Sequence, residues 1–322
     1  MTDVVPASPA EPSAERLGNP LKRYFLATRP PFLLASLVPV LLGLASAVAD
    51  GVVLAWLPAL LTLLGALLFH AAANVLNDYY DALSGTDECN RQRLYPYTGG
   101  SRFIQNGVLS RGQTARFGFA LLAVGVVLGL VLLRLSGPGL LWLGLLGTVI
   151  AWAYSAPPLS LNSRGLGELC IATAFGLLIV TGADFVQRGE FALLPPLLAI
   201  PYGLLTSALL FVNQFPDHEA DAAAGKHHLV VRLGVQRARW GYLLLVLAAN
   251  LTLILLYGLG LVPVWGLLAL LAAPPGLVAA AVLIKHADEP VRLMPAIRLS
   301  ILSLPLHGLL LALGLLLDGL SG

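Results

Sequence analysis

The chain has 322 residues, 57% of them hydrophobic and only 11% charged, and its mean hydropathy is +0.83. That is far more apolar than a water-soluble domain, so the chain reads as an integral membrane protein. A net charge of +2, scattered along the sequence, excludes a nucleic-acid partner.

Residues 1–20 are rich in Pro, Ala, Ser and charge and are expected to form a disordered tail. Residues 21–322 then make one helical domain. Its first stretch, Leu21 to Pro31, carries Lys22, Arg23 and Arg29 among apolar residues and suits a lipid headgroup surface. The apolar run Phe32–Leu44 precedes Ala45-Ser-Ala-Val-Ala49, which has the look of a signal-peptide cleavage site. The preceding residues are too many and include Asp3, Glu11 and Glu15, so the run is read as a first membrane span.

Runs long enough to cross about 30 Å of hydrocarbon fall at 31–49, 53–76, 115–133, 138–156, 166–186, 192–212, 239–259, 261–284 and 297–317. The fold class predicted is therefore all-α: a bundle of nine transmembrane helices with cap loops on the cytoplasmic face. Helices satisfy every backbone polar group internally, as lipid demands. With nine spans, seventeen of the 19 Lys and Arg residues fall on the side of the N-terminus, leaving Arg134 and Arg188 opposite. The positive-inside rule then places the N-terminus in the cytoplasm and the C-terminus across the membrane; the expected location is the cell inner membrane. The long polar links, about 81–112 and 215–237, lie on the cytoplasmic side, and such loops usually carry function.

Both long links open on acidic stretches that echo each other. Asn77-Asp-Tyr-Tyr-Asp81-Ala-Leu-Ser-Gly-Thr-Asp87 ends the second span, and Asn213-Gln-Phe-Pro-Asp217-His-Glu-Ala-Asp221 ends the sixth. Asn77 and Asp81, like Asn213, Asp217 and Asp221, are spaced i, i+4 and share a helix face. Carboxylates at a helix C-terminus meet the negative end of the dipole and call for a cation. Hard oxygen ligands suit Mg2+, which commonly binds a few carboxylates together with substrate phosphates. A diphosphate is thus the expected ligand, with Arg91, Arg93, Arg102 and Lys226 as partners for its remaining oxygens.

Gly99-Gly100-Ser101 reads as a turn with the option of an anion nest. A charged head beside apolar helices fits an isoprenyl diphosphate. Its carbocation would be steadied by aromatic faces, with Tyr79, Tyr80, Tyr154 and Phe215 as candidates.

Tyr154-Ser-Ala-Pro-Pro158, Arg164-Gly-Leu-Gly-Glu168, Asp217-His-Glu-Ala-Asp221-Ala-Ala-Ala-Gly-Lys226 and Val231-Arg-Leu-Gly234 follow the first motif in order. Together, over about residues 25–317, they resemble the UbiA-type intramembrane prenyltransferases. The resemblance implies Mg2+ and prenyl diphosphate bound by Asn77, Asp81, Asp217 and Asp221, with Asp78 and Asp87 as further metal ligands. It also brings Arg29, Tyr154 and Ser155 to the diphosphate and prenyl chain. Many relatives carry an acid where this chain has Gly85, and the Gly-Thr-Asp87 ending is similar to the branch acting on 1,4-dihydroxy-2-naphthoate.

The expected activity is Mg2+-dependent prenyl transfer to an aromatic quinone precursor. The alternatives are a non-quinone acceptor or a polytopic transporter. His70 reads as an interhelical hydrogen-bonding partner, Asp184 and Asp318 as solvated helix ends, His227-His228 as surface loop, and Glu168 as a partner for Arg164. Cys89 and Cys170 read as unpaired structural thiols.

Overall fold

The structure, a computed structural model, describes residues 11–321. The expected disorder of residues 1–10 and the Cys89 thiol lie outside the described residues.

Asn19 starts the chain's first helix, Pro20–Ala27, its side chain accepting from the backbone N–H groups of Leu21 and Lys22 at 2.9 and 3.3 Å. Arg29 then adopts a left-handed backbone (φ 55°). Pro30 disfavours a helical residue before it, so the chain breaks here and re-aims into the membrane. The spans follow as α1 (Pro30–Ala49), α2 (Trp56–Ser84) and α3 (Arg111–Ser136), then a shorter α4 (Leu140–Ala153). They continue as α5 (Gly167–Arg188), α6 (Leu194–Ala223), α7 (Val235–Gly258), α8 (Val264–His286) and α9 (Pro290–Leu320).

Among the described residues eight helices are long and apolar enough to cross a membrane, not the nine expected. The difference is α4. Its 14 residues reach about 21 Å at 1.5 Å per residue, because Gly137-Pro138 delays its start and Pro157-Pro158 stops its continuation. The apolar window at 138–156 counted these flanks as helix.

At the centre of the bundle, α6 buries Leu198, Tyr202, Val212 and Phe215 completely. Gly176 of α5 and Gly203 of α6 meet where a Cβ on Gly176 would come within 2.9 Å of the Gly203 Cα, so the two backbones touch. This is how small residues hold helices together in lipid. The segment Ala172–Leu178 widens to a π-helix at this crossing. Buried polar bonds fasten the other helices: Tyr202 Oη to the Ala35 carbonyl at 3.2 Å, Tyr242 Oη with Ser300 Oγ at 2.6 Å, and Ser303 Oγ to the Ala272 carbonyl at 2.7 Å. The outer surface keeps large apolar side chains exposed, Trp142, Val127 and Leu251 among them, as a lipid-facing surface should.

Residues 11–19 depart from the expected tail. Glu11 is buried against the loop after α2, with its carboxylate 2.7 Å from Arg93 Nε and 3.1 Å from Asn106 Nδ2. Leu17 packs with Ala27, Phe103, Val108 and Leu109 in a small core of its own. Asp184 also differs: it is buried and paired with Arg188 at 3.0 Å rather than solvated. Glu168 accepts from Gln214 at 2.9 Å, whereas Arg164 turns to the Pro158 carbonyl. His70 bonds Ser36 of α1 at 2.9 Å, as expected.

Candidate active site

At 29 residues, α2 extends about 43 Å, longer than the roughly 30 Å a span requires, which leaves length for its last turns to project beyond the hydrocarbon. Gly85, at φ 78°, ends it in the left-handed conformation that a Cβ would oppose. α6 ends beside it. Lys226 sits between the two tips, its Nζ 2.8 Å from Asp81 Oδ1 and 3.5 Å from Asp221 Oδ1. Burial by itself would lower the Lys226 pKa, but the carboxylates of Asp81 and Asp221 outweigh it and hold the ammonium well above its ordinary range. One ammonium therefore links the two acidic motifs.

The loop after α2 supplies the remaining support. Asn90 Nδ2 donates to Asp217 Oδ1 at 2.7 Å, and the Gly99 N–H donates to Asp217 Oδ2 at 2.9 Å. The Ser101 N–H donates to Asp78 Oδ1 at 3.2 Å, beside the Arg29 guanidinium that pairs with the same carboxylate. The Gly-Gly-Ser turn thus spends the N–H groups of Gly99 and Ser101 on the protein's own carboxylates. For Arg29, burial alone would lower the pKa, yet Asp78 and Asp87 raise it. Asp87 is buried, and burial first, then the charges of Asp81 and Asp78, push its carboxyl well above the usual carboxylate value.

These tips form the polar end of a cavity of about 430 Å³. Asn77, Asp81, Asp87, Asn90, Asn213, Asp217, Asp221, Lys226 and Arg29 line it, with Tyr154 and His228. Most of the rest is apolar or small, from Phe69 and Phe175 to Gly125, Gly129, Gly144 and Gly147, with His70, Asn74, Asn162 and Gln214 as further polar side chains. Asp78, Arg91, Arg93, Arg102 and Ser155 do not line it. Asp78 holds Arg29; Arg93 binds Glu11 and the Asn90 carbonyl; Arg102 donates to the Asp87 carbonyl; and Ser155 accepts from Asn77 Nδ2 at 3.1 Å. Of the aromatic candidates, Tyr154 faces the cavity, whereas Phe215 is fully buried and Tyr79 and Tyr80 lie outside its lining.

The comparisons with known proteins decide the family. The UbiA prenyltransferase family model matches residues 36–302. The chain belongs to that family. It is 33% identical to a 1,4-dihydroxy-2-naphthoate octaprenyltransferase of Escherichia coli (strain K12), over 88% of this chain and 95% of that one. With the protein of the same name from Haemophilus influenzae it is 30% identical, over 95% and 99%. Its fold is similar to that of a digeranylgeranylglyceryl phosphate synthase (TM-score 0.63, 20% identity, covering 92% of this chain and 98% of the other). It is also similar to a UbiA homolog from Archaeoglobus fulgidus bound to GPP and Mg2+ (TM-score 0.58, 17% identity, 90% and 99% covered).

In this UbiA-family enzyme, no three His, Cys, Asp or Glu among the described residues form a ready-made metal cage. The donor set nonetheless fits a cation that takes part of its shell from substrate. Asp87 Oδ2 and Asn213 Oδ1 are buried without a hydrogen-bond partner among the described residues. Lys226 already places positive charge between Asp81 and Asp221.

Two residues escaped the sequence reading. Asn90 carries no motif of its own and is found only through its bond to Asp217. His228, taken for surface loop, is buried; its Nδ1 accepts from the Val231 N–H at 3.4 Å, which leaves the Nε2 hydrogen for Asp221 Oδ2 at 3.1 Å.

Proposed function

We propose that this prenyltransferase moves a prenyl chain from a Mg2+-bound prenyl diphosphate to an aromatic quinone precursor, 1,4-dihydroxy-2-naphthoate. The observation that carries the reading is the meeting of Asp81, Asp217 and Asp221, from two distant helix tips, at the polar end of one largely apolar cavity. The acceptor rests on the names of the relatives in Escherichia coli and Haemophilus influenzae.

Asn77, Asp81, Asp87, Asn213, Asp217 and Asp221 would hold the metal. Mg2+ would neutralise the diphosphate and make it a better leaving group. Lys226 and Arg29 face the same space and would take phosphate oxygens, Lys226 yielding Asp81 and Asp221 to a bound metal. Tyr154 presents its ring to the carbon that loses diphosphate. The apolar chamber takes the prenyl chain and keeps water from the cation. The acceptor's electron-rich ring carbon then bonds to the prenyl carbon, and that ring position gives up its carboxyl group as carbon dioxide.

We further propose that α4 and its flanks make a ninth crossing. Gly139 at its start lies against Phe185 and Phe191, near the end of α5, while Ser155 just past its other end bonds Asn77 at the metal site. Nine crossings and the basic residues beside the acidic tips support a cytoplasmic N-terminus and active face, with the C-terminus opposite, in the inner membrane.

Purified protein incubated with Mg2+, a panel of prenyl diphosphates and candidate acceptors should yield prenylated naphthoquinol by mass. Asp81→Asn and Asp217→Asn should abolish it. Full activity in both variants would end this reading.

A further inference from the structure

A second cavity, of about 310 Å³, lies between the N-terminal segment and the loop after α2. Its size falls at the lower end of the range for small-molecule sites, roughly 300–1,000 Å³. Arg16, Lys22 and Leu26 line it from the N-terminal side, and Tyr95, Tyr97 and Phe103 from the loop. Arg29, Phe32 and Tyr97 line both this cavity and the larger one. The two spaces therefore share a wall beside the diphosphate end of the active site.

The N-terminal wall is built, not draped. Glu11 is clamped by Arg93 and Asn106 at 2.7 and 3.1 Å, and the Arg23 guanidinium donates twice to the Leu17 carbonyl, at 3.0 and 2.9 Å. Leu17 is buried on Phe103 and Leu109. Arg16 and Lys22 thus share one cleft with the rings of Tyr95, Tyr97 and Phe103, and the acid in its lining, Glu11, is already bonded to Arg93 and Asn106. Rings favour a flat aromatic occupant, and Arg and Lys favour an anionic group on its edge. A lipid phosphate would use the cations and leave the rings idle.

We propose that this cleft receives the acceptor: a planar aromatic carboxylate, its ring against Tyr95, Tyr97 and Phe103 and its carboxylate toward Lys22 and Arg16. From there it passes Arg29 and Phe32 to the reaction cavity. The acceptor class rests on the function proposed above. The location of the site does not.

The test uses the full chain in nanodiscs of neutral lipid. Binding of 1-hydroxy-2-naphthoate is followed by its fluorescence without Mg2+ or prenyl diphosphate, with 1-naphthol as the probe that lacks the carboxylate. Lys22→Glu, at an exposed position, and Arg16→Gln are compared with the parent protein. Lys22→Glu should weaken naphthoate binding about fivefold or more, the effect of reversing one partly solvated charge, and Arg16→Gln should weaken it less. Binding of 1-naphthol should not change. In turnover, KM for the acceptor should rise while KM for the prenyl diphosphate stays within about twofold.

Unchanged naphthoate binding in both variants, or a parallel rise in both KM values, would overturn the proposal. So would an effect seen only when anionic lipid is added, which would give the cleft to a headgroup. If the chain transfers no prenyl group to dihydroxynaphthoate, the functional reading fails, and the binding measurement still decides this site.

Discussion

Lys226→Met keeps an unbranched side chain of similar length and removes the ammonium that joins Asp81 and Asp221 at 2.8 and 3.5 Å. Only 12–14% of these three side chains is exposed, so the carboxylates would be left facing each other with little water to screen them. Breaking a buried ion pair on one side costs roughly 3–5 kcal/mol, and the residual exposure argues for about 3, or about 150-fold in the folding equilibrium. A divalent cation should replace the missing charge, since a ligand bound only by the folded state stabilises it.

Thermal unfolding in detergent tests both statements. In EDTA the variant should melt several degrees below the parent protein, and millimolar Mg2+ should close most of that gap. Prenyl transfer should remain impaired even in saturating Mg2+, because Lys226 also takes phosphate oxygens. Equal melting temperatures in EDTA would refute the bridging role, and a gap that Mg2+ leaves untouched would refute the overlap of ammonium and metal.

Other positions give independent checks. Asn90→Ala removes a hydrogen bond to the Asp217 carboxylate; such bonds are worth about 1.5–3 kcal/mol, so kcat/KM should fall about 10- to 150-fold, and a loss under twofold would remove Asn90 from the site. Gly129 and Gly144 line the cavity with open space where a Cβ would go, so Gly129→Leu and Gly144→Leu should fold normally and shorten the longest prenyl chain accepted, read by product mass. Glu11→Gln should speed hydrogen exchange in residues 11–19 at neutral pH.

Burial would raise the Glu11 carboxyl, but the Arg93 and Asn106 bonds outweigh it and hold its pKa below the ordinary 4.5. Its stabilising contribution is therefore complete above that value and lost as pH falls through the lowered one. A spin label placed at exposed Ala14 should loosen over that acid window in the parent protein and show no such transition in Glu11→Gln.

The helices and the pairing of the two acidic tips were legible because both are written locally. Apolar runs mark the spans, and the spacing of Asn77 with Asp81 and of Asn213 with Asp217 and Asp221 sets one face on each helix. The ends of α4 were set too wide because hydropathy sums side chains and ignores where Gly137-Pro138 and Pro157-Pro158 interrupt the backbone. The roles of Arg93 and Arg102 were hidden for another reason. A loop arginine beside an acidic motif looks the same in sequence whether it faces a phosphate or, as here, props up the loop through Glu11 and the Asp87 carbonyl. Glu11 itself sits in a Pro- and Ala-rich stretch, and only long-range contacts reveal that it is buried.

The loop that carries Asn90, Gly99 and Ser101 grips Asp217 on one helix and Asp78 on the other, and Glu11 grips the loop. Anyone grafting a foreign acceptor preference onto this scaffold must therefore transplant three separate pieces of chain together. A chimera that exchanges the loop alone would inherit mismatched fasteners at both carboxylates and lose catalysis before it gained a new specificity.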